Sequence, residues 1–376
     1  MHGNPGSGED WATAHPQLSR AHAISGLLLL SIIAVVSCRV PSAEAAPTRP
    51  LCPAGENLLW QTNAGGDDIH VIDYCTGRLV RRLPVGANPH GIATPKDQSV
   101  VYVSLEMDDR DTGEVVFVDP VTYKITARVA VGREPHAIAT TPDGRWIYVP
   151  CRDGHYWVID VHSKKVVKKI ETGGRPHNTT ASHDGRWMYL SPMGGSEAVF
   201  VVDVSKHEIV GQIPFSDSVR PPAITSDNRF FFQQVDGLNG FQVADIGTRA
   251  VFHDAVHNGS LGWFNLGKLG TWSFSGLKRC HGLGVRPDQS EVWSVCAEFL
   301  NVHDLSRSRG FPATHQIELP GRGYWLTFSR DSQFAFIALA DLNEVAMIDT
   351  NTKKLLQRFK VAAHPKRNIV LGHRYR

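Results

Sequence analysis

The chain repeats one passage at a nearly constant interval, and this narrows its fold more than any other feature. Val85-GANPHGIATPKDQSVVYVS, Val131-GREPHAIATTPDGRWIYVP and Thr172-GGRPHNTTASHDGRWMYLS are variants of a single unit. Each is followed by an apolar strand ending in Asp: Val115-VFVD, Tyr156-WVID and Val199-FVVD. Short β-branched runs separated by Asp-Gly type turns read as antiparallel strands joined by tight hairpins. The turn aspartates Asp97, Asp143, Asp184, Asp227, Asp288 and Asp331 are spaced by 46, 41, 43, 61 and 43 residues. A period of about 40–45 residues with four strands per unit is that of a β-propeller blade.

Counting gives seven blades. Six are continuous, at about 85–130, 131–171, 172–214, 215–252, 278–318 and 319–360. Residues 57–83 supply three strands but no inner one, and the segment from Val361 to Leu371 reads as an inner strand with nothing after it. Pairing the two closes the ring and leaves no open edge. The expectation is therefore an all-β, seven-bladed propeller of four-stranded blades, completed by the C-terminal strand on the N-terminal blade. It spans 46–376 as one domain.

With 376 residues, 42% hydrophobic and 20% charged, the composition is globular. A net charge of +2 and the lack of a long basic run give no nucleic-acid signature. Residues 1–45 read as an export signal: Arg20 and His22, an apolar run from Ile24 to Val36, then Ala43-Glu44-Ala45 before cleavage. Val35-Val36-Ser37-Cys38 also fits a loose lipobox, so a lipoprotein anchored at Cys38 is the alternative to a soluble periplasmic or secreted protein. No second long apolar segment exists, so no transmembrane span is expected in the mature chain. Export permits disulfides among the remaining five cysteines. Cys52 should pair with Cys75. Cys280 and Cys296 flank Asp288 by eight residues each and so face one another across a hairpin, which leaves Cys151 unpaired, beside His136.

The repeat segments, Asn88-PHGIATPKD and Glu134-PHAIATTPDGRWIYVP among them, resemble the YVTN-repeat family of seven-bladed propellers. Its superfamily takes in YncE-like periplasmic proteins, haem d1-type domains, amine dehydrogenase heavy chains and lactonase-like enzymes. The resemblance covers roughly residues 57–372. It implies a fold and leaves function to the site.

Seven residues before each turn aspartate stand His90, His136, His177, Arg220, His281 and Tyr324, and the split blade aligns Lys366 there. Inner strands line a propeller's channel, so these seven residues should ring one mouth. Neutral imidazoles bind zinc, copper and iron, which makes His90, His136, His177 and His281 a candidate metal set. Alternatively, Arg220 and Lys366 with the histidines offer a cationic mouth for a small anion. Haem d1-like ligation by one ring histidine is the lesser alternative, and the C-x-x-C-H attachment motif is absent. Loops after each second strand bring Glu106, Asp108, Asp109, Asp153, His155, Asp236, Glu298 and Asp341 to the same face. Of these, Glu298 is the expected acid–base partner of His281. An insertion at 253–277, with Trp263, Phe264, Trp272 and Phe274, emerges there as a lid or a partner contact. Three readings follow in order: a metal- or anion-binding propeller, a lactonase- or lyase-like enzyme on an anionic substrate, and a protein-binding scaffold.

Overall fold

The turn aspartates explain why the passage repeats. In the computed structural model, Asp143 accepts the backbone N–H of Arg145 at 3.0 Å, Asp184 that of Arg186 at 3.0 Å, and Asp227 that of Arg229 at 3.0 Å. Asp97, Asp288 and Asp331 do the same for Ser99, Ser290 and Gln333. Each carboxylate thus closes an Asx turn between an inner and a second strand. A second series caps the hairpin between the third and outer strands. Asp119, Asp203 and Asp349 accept the N–H groups of Val121, Ser205 and Asn351.

The structure describes Cys52 and residues 57–107, 109–194, 196–257, 280–306 and 310–372. The expected signal segment 1–45, with Cys38, lies outside them. So do residues 258–277 of the expected insertion. Its first residues, 253–256, belong instead to an outer strand, Ala250–Val256.

Among the described residues, twenty-eight strands form seven four-stranded antiparallel sheets. The split blade has the order β28 (Pro365–Leu371), β1 (Leu58–Asn63), β2 (Asp68–Asp73) and β3 (Arg78–Pro84). The continuous blades are β4–β7 (89–131), β8–β11 (139–171), β12–β15 (175–214), β16–β19 (219–256), β20–β23 (280–318) and β24–β27 (323–360). This is the seven-bladed propeller that the repeats predict. No helix among the described residues is long and apolar enough to cross a membrane.

The core lies between blades, because each sheet is apolar on both faces. In the second strand of the 89–131 blade, Val101 and Val103 pack toward Trp60 and Val71 of the split blade. Tyr102 points the other way, toward Ile147 and Val149 of the next blade. Period-two alternation therefore feeds two cores from one strand. Seven such clusters occupy the seven interfaces, including one that joins Phe336 and Met347 to Leu59 and Ile72 across the closure.

Both expected disulfides form, Cys52–Cys75 and Cys280–Cys296. Cys280 pairs directly with Cys296 in the ladder, at the register where Pro135 faces Cys151 in its blade. Cys151 is free and buried, and burial pushes its thiol well above the usual range. Its sulfur lies 3.7 Å from the Val149 carbonyl, so it is a core thiol rather than a ligand of the mouth.

Cys52–Cys75 ties the segment preceding β1 to the hairpin that leaves β2, across a sequence separation of 23. Replacing Cys75 with Ser should lower the unfolding free energy by about 3 kcal/mol, the chain-entropy value for a loop of this length. Denaturant unfolding of the oxidised protein and the variant measures it. A loss below about 1 kcal/mol would mean that strand pairing alone holds the closure.

Candidate functional site

Every ring residue stands where its inner strand breaks register with the second strand. The ladder shifts between Pro89 and Ile92, Arg175 and Asn178, Val219 and Pro222, Cys280 and Leu283, and Gly323 and Trp325. In the split blade the shift falls opposite Lys366 and Arg367. In the third blade the ladder is reduced to Ala139–Thr140 beyond a lone bridge at Pro135. A bulge turns a side chain out of the sheet's alternation, and six of the seven ring side chains converge here. Hydroxyls of the second strands lock the bulges to one another. Ser104 Oγ accepts the Gly91 N–H at 2.8 Å and donates to the His136 carbonyl of the next blade at 2.6 Å. Thr62 accepts the Arg367 N–H at 3.0 Å and lies 2.9 Å from the His90 carbonyl.

The ring side chains meet across the channel mouth. Ring centroids are 4.8 Å apart for His90 and His136, 4.5 Å for His136 and His177, and 6.2 Å for His177 and His281. Tyr324 stacks on His281 at 4.1 Å, and the Lys366 ammonium lies over the Tyr324 ring. All four predicted histidines, Tyr324 and Lys366 are thus brought together.

Arg220 departs from this pattern. Its Nε donates to Asp236 at 2.6 Å, so its charge is neutralised within its own blade. The expected pairing of His281 with Glu298 is also absent: Glu298 is exposed in the turn after β21 (Glu291–Cys296). The carboxylate among the histidines is Glu106, which is buried. One of its oxygens bonds His90 Nδ1 and lies 3.2 Å from His136 Nε2. Asp153 bonds the Trp157 indole at 2.9 Å, and Asp341 accepts the Arg322 N–H at 2.9 Å; neither bonds a ring residue. Residues at the repeat's loop position can be aligned, but the distance from each loop to the axis cannot.

The tautomers follow from the acceptors. Glu134, at φ 45°, turns its carbonyl onto His136 Nδ1 at 2.8 Å. Tyr324 presents its carbonyl to His281 Nδ1 at 2.8 Å. A carbonyl only accepts, so both Nδ1 atoms carry protons. When these imidazoles are neutral, both Nε2 atoms keep a lone pair. Burial does keep them neutral: it pushes His90 down to about 3, and lowers His136, His177 and His281 below the usual histidine value. Burial works against the Glu106 carboxylate, while the His90 Nδ1 bond and the Lys366 ammonium work for it, and its pKa stays below the usual carboxylate range. His136 Nε2 lies 3.2 Å from the same carboxylate.

His90, Glu106 and His136 offer ligand atoms within 4.8 Å of one another. A second group, His257 with Cys280 and Cys296, has its sulfurs engaged in the disulfide, and His257 Nε2 lies 3.0 Å from His303 Nε2.

The Cytochrome D1 heme domain model matches residues 101–220. Hydrazine synthase of Kuenenia stuttgartiensis superposes with a TM-score of 0.62 at 20% identity, covering 73% of this chain and 87% of that one. Dihydro-heme d1 dehydrogenase NirN, solved in complex with DHE, gives 0.59 at 15% identity, covering 86% and 77%. The periplasmic gluconolactonase PpgL of Pseudomonas aeruginosa gives 0.67 at 15%, covering 85% and 99%. These structures share the propeller fold of this chain. Among curated proteins, none matches the chain by sequence. Relatives of this fold named for haem d1 raise the question of a macrocycle in this mouth. The ring side chains here touch at 4.1–6.2 Å between centroids, and a tetrapyrrole laid at their level would overlap them. A macrocycle therefore does not fit among the ring side chains at that level.

The neutral histidines also set a pH dependence. The folded protein binds fewer protons than the unfolded chain between the lowered histidine values and about 6.5, so stability must rise with pH in that window. Lowering the pH from about 7 to 4 should reduce the unfolding free energy, by up to about 1.4 kcal/mol per pH unit for each buried imidazole. Denaturant midpoints across this range check it, and a flat profile would mean that the histidines take up protons in the fold as they do in the unfolded chain.

Proposed function

We propose that this protein is an exported propeller that binds a transition metal ion at the mouth of its channel. His90, Glu106 and His136 form the core of the site, and His177 and His281 complete the imidazole ring around it. One observation carries the reading: His90, Glu106 and His136 bring three ligand atoms within 4.8 Å of one another, with His136 Nε2 and the Glu106 carboxylate 3.2 Å apart. A cation held by all three would satisfy the carboxylate and the imidazole lone pairs together. The carbonyl bonds to His136 and His281 are the outer contacts that orient metal-binding histidines. Nitrogen with one carboxylate suits zinc, copper or iron. Two disulfides are consistent with export, and the proposed location is periplasmic or secreted.

A bound ion would supply a Lewis acid to a ligand entering the funnel. Lys366 and Tyr324, whose hydroxyl lies 3.0 Å from His90 Nε2, flank it on the side where a small anionic molecule would enter. Arg220, paired with Asp236, is not a free charge for that purpose. If proton transfer takes place here, the geometry favours Glu106 with His90 or His136 over Glu298 with His281.

Elemental analysis of untagged protein tests the reading. About one equivalent of metal per chain is expected, falling at least tenfold in His136→Ala and in Glu106→Gln. Metal-free wild-type protein, or full metal content in both variants, would overturn it.

A further inference from the structure

The Cys280–Cys296 disulfide has a buried imidazole lone pair aimed at it. His257 follows β19 (Ala250–Val256), the outer strand of one blade. Cys280 opens β20 (Cys280–Val285) and Cys296 ends β21 in the next blade, and the two are direct partners in the ladder. Asn239 fixes the approach. Its carbonyl accepts the His257 N–H at 2.8 Å, its Nδ2 donates to the His257 carbonyl at 3.1 Å, and its Oδ1 lies 3.7 Å from Cys280 Sγ. His257 Nδ1 then stands 3.2 Å from Cys296 Sγ.

The protons can be traced from the far end of this chain of contacts. His303 Nδ1 lies 2.8 Å from the Phe311 carbonyl, which only accepts, so His303 carries its proton there. Burial lowers His303 and pushes His257 down to about 3, so both are neutral at pH 7. Neutral His303 keeps a lone pair on Nε2, and His257 Nε2, 3.0 Å away, must supply the proton between them. His257 Nδ1 is left with a lone pair, and a disulfide sulfur has no proton to offer it. His257 is 5% exposed, and a buried acceptor without a donor is costly.

We propose that His257, Cys280 and Cys296 form a redox-gated metal site, which binds a thiophilic divalent ion such as zinc when the disulfide is reduced and releases it when the disulfide forms. A dithiol supplies the two electrons and two protons: its own S–S bond forms, the Cys280–Cys296 bond breaks, and two thiols result. The ion displaces both thiol protons to solvent and takes bonds from two thiolates and His257 Nδ1. These three ligand atoms already lie within 4.8 Å of one another. Tetrahedral zinc, with bonds of about 2.0–2.1 Å to nitrogen and about 2.3 Å to sulfur, sets N and S about 3.5 Å apart and two sulfurs about 3.8 Å apart. The nitrogen is near that spacing as it stands, and breaking the S–S bond frees the sulfurs to reach theirs. Asn239 Oδ1 is similarly spaced from Cys280 Sγ and can take the fourth position. Outer contacts are in place as well. Ser294 Oγ accepts from Gln234 at 2.9 Å and lies 3.5 Å from Cys296 Sγ, so its own proton can serve the thiolate, while His303 accepts from His257 Nε2. None of these residues belongs to the channel mouth, so the site does not depend on the metal reading there.

Cadmium is the probe, because its thiolate charge-transfer absorption reports sulfur ligation and is silent for a site of nitrogen and oxygen. Oxidised protein should show no such band. Protein reduced by a dithiol, then freed of it without air, should take up about one equivalent of sulfur-bound cadmium and melt at a higher temperature with the ion than without it. Reduced His257→Ala should bind at least tenfold more weakly, and Cys296→Ser should lose the band, whereas Cys75→Ser, in the other disulfide, should keep it. Folded reduced protein without the band, wild-type affinity in His257→Ala, or a band that follows Cys75 instead of Cys296 would overturn the proposal. So would reduced protein that loses its near-ultraviolet circular dichroism and does not regain it with cadmium.

Discussion

The pairing of β28 with β1 is the contact on which the rest of the molecule depends. Six blades are built from continuous chain, and the seventh exists only when the C-terminal strand lies against the N-terminal one. Side chains reinforce the ladder there. Asn368 donates to Gln61 at 3.0 Å, and Gln61 donates to the Arg367 carbonyl at 3.1 Å. Without this strand the last interblade core, from Phe336 to Leu59, would have one wall. The same strand delivers Lys366 and Arg367 to the channel. Closing the ring and furnishing it with positive charge are therefore one event.

The bulges convert a repetitive scaffold into a site. Regular inner strands would send alternate side chains into the interblade cores. A register shift at the same place in successive blades sends one residue per blade to the axis instead. The hydroxyls of Ser104 and Thr62 tie two of these bulges to the next blade, which sets Lys366, His90 and His136 relative to one another. Chemistry then differs by blade. Arg220 finds Asp236 and is neutralised, whereas the ring position between Lys366 and His136 brings its own loop carboxylate, Glu106, into a crowd of neutral imidazoles. The crowding gives this side of the mouth its distinct electrostatics: an ionised carboxylate among lone pairs fixed by backbone carbonyls.

Much of this was legible beforehand. The turn aspartates marked the period because an Asx turn needs that side chain at that place, and counting back from them found six ring residues, with Lys366 placed by aligning the split blade on the repeat. The pairing of Cys280 with Cys296 followed from the same register. Three features were not legible. Glu106 and Glu298 occupy equivalent loops, and only the loops' paths put one among the histidines and the other in solvent. Asp236 was visible as a loop residue, but its bond to Arg220 was not. Arg367, whose Nη2 donates to Asn178 at 2.7 Å, lies one position past the aligned ring residue, where a regular strand would turn its side chain into the core.

The sequence by itself determined the number of blades, their strand order, the closure and the identity of the residues at the mouth. All of these depend on local spacing, and spacing survives in one dimension. Tertiary structure alone decided which charges meet: Glu106 with His90 and His136, Arg220 with Asp236, and Arg367 with Asn178 across the channel. Those contacts join loops to strands or blades far apart in the chain. They depend on ångström distances to the axis, and on burial deep enough to keep the histidines neutral.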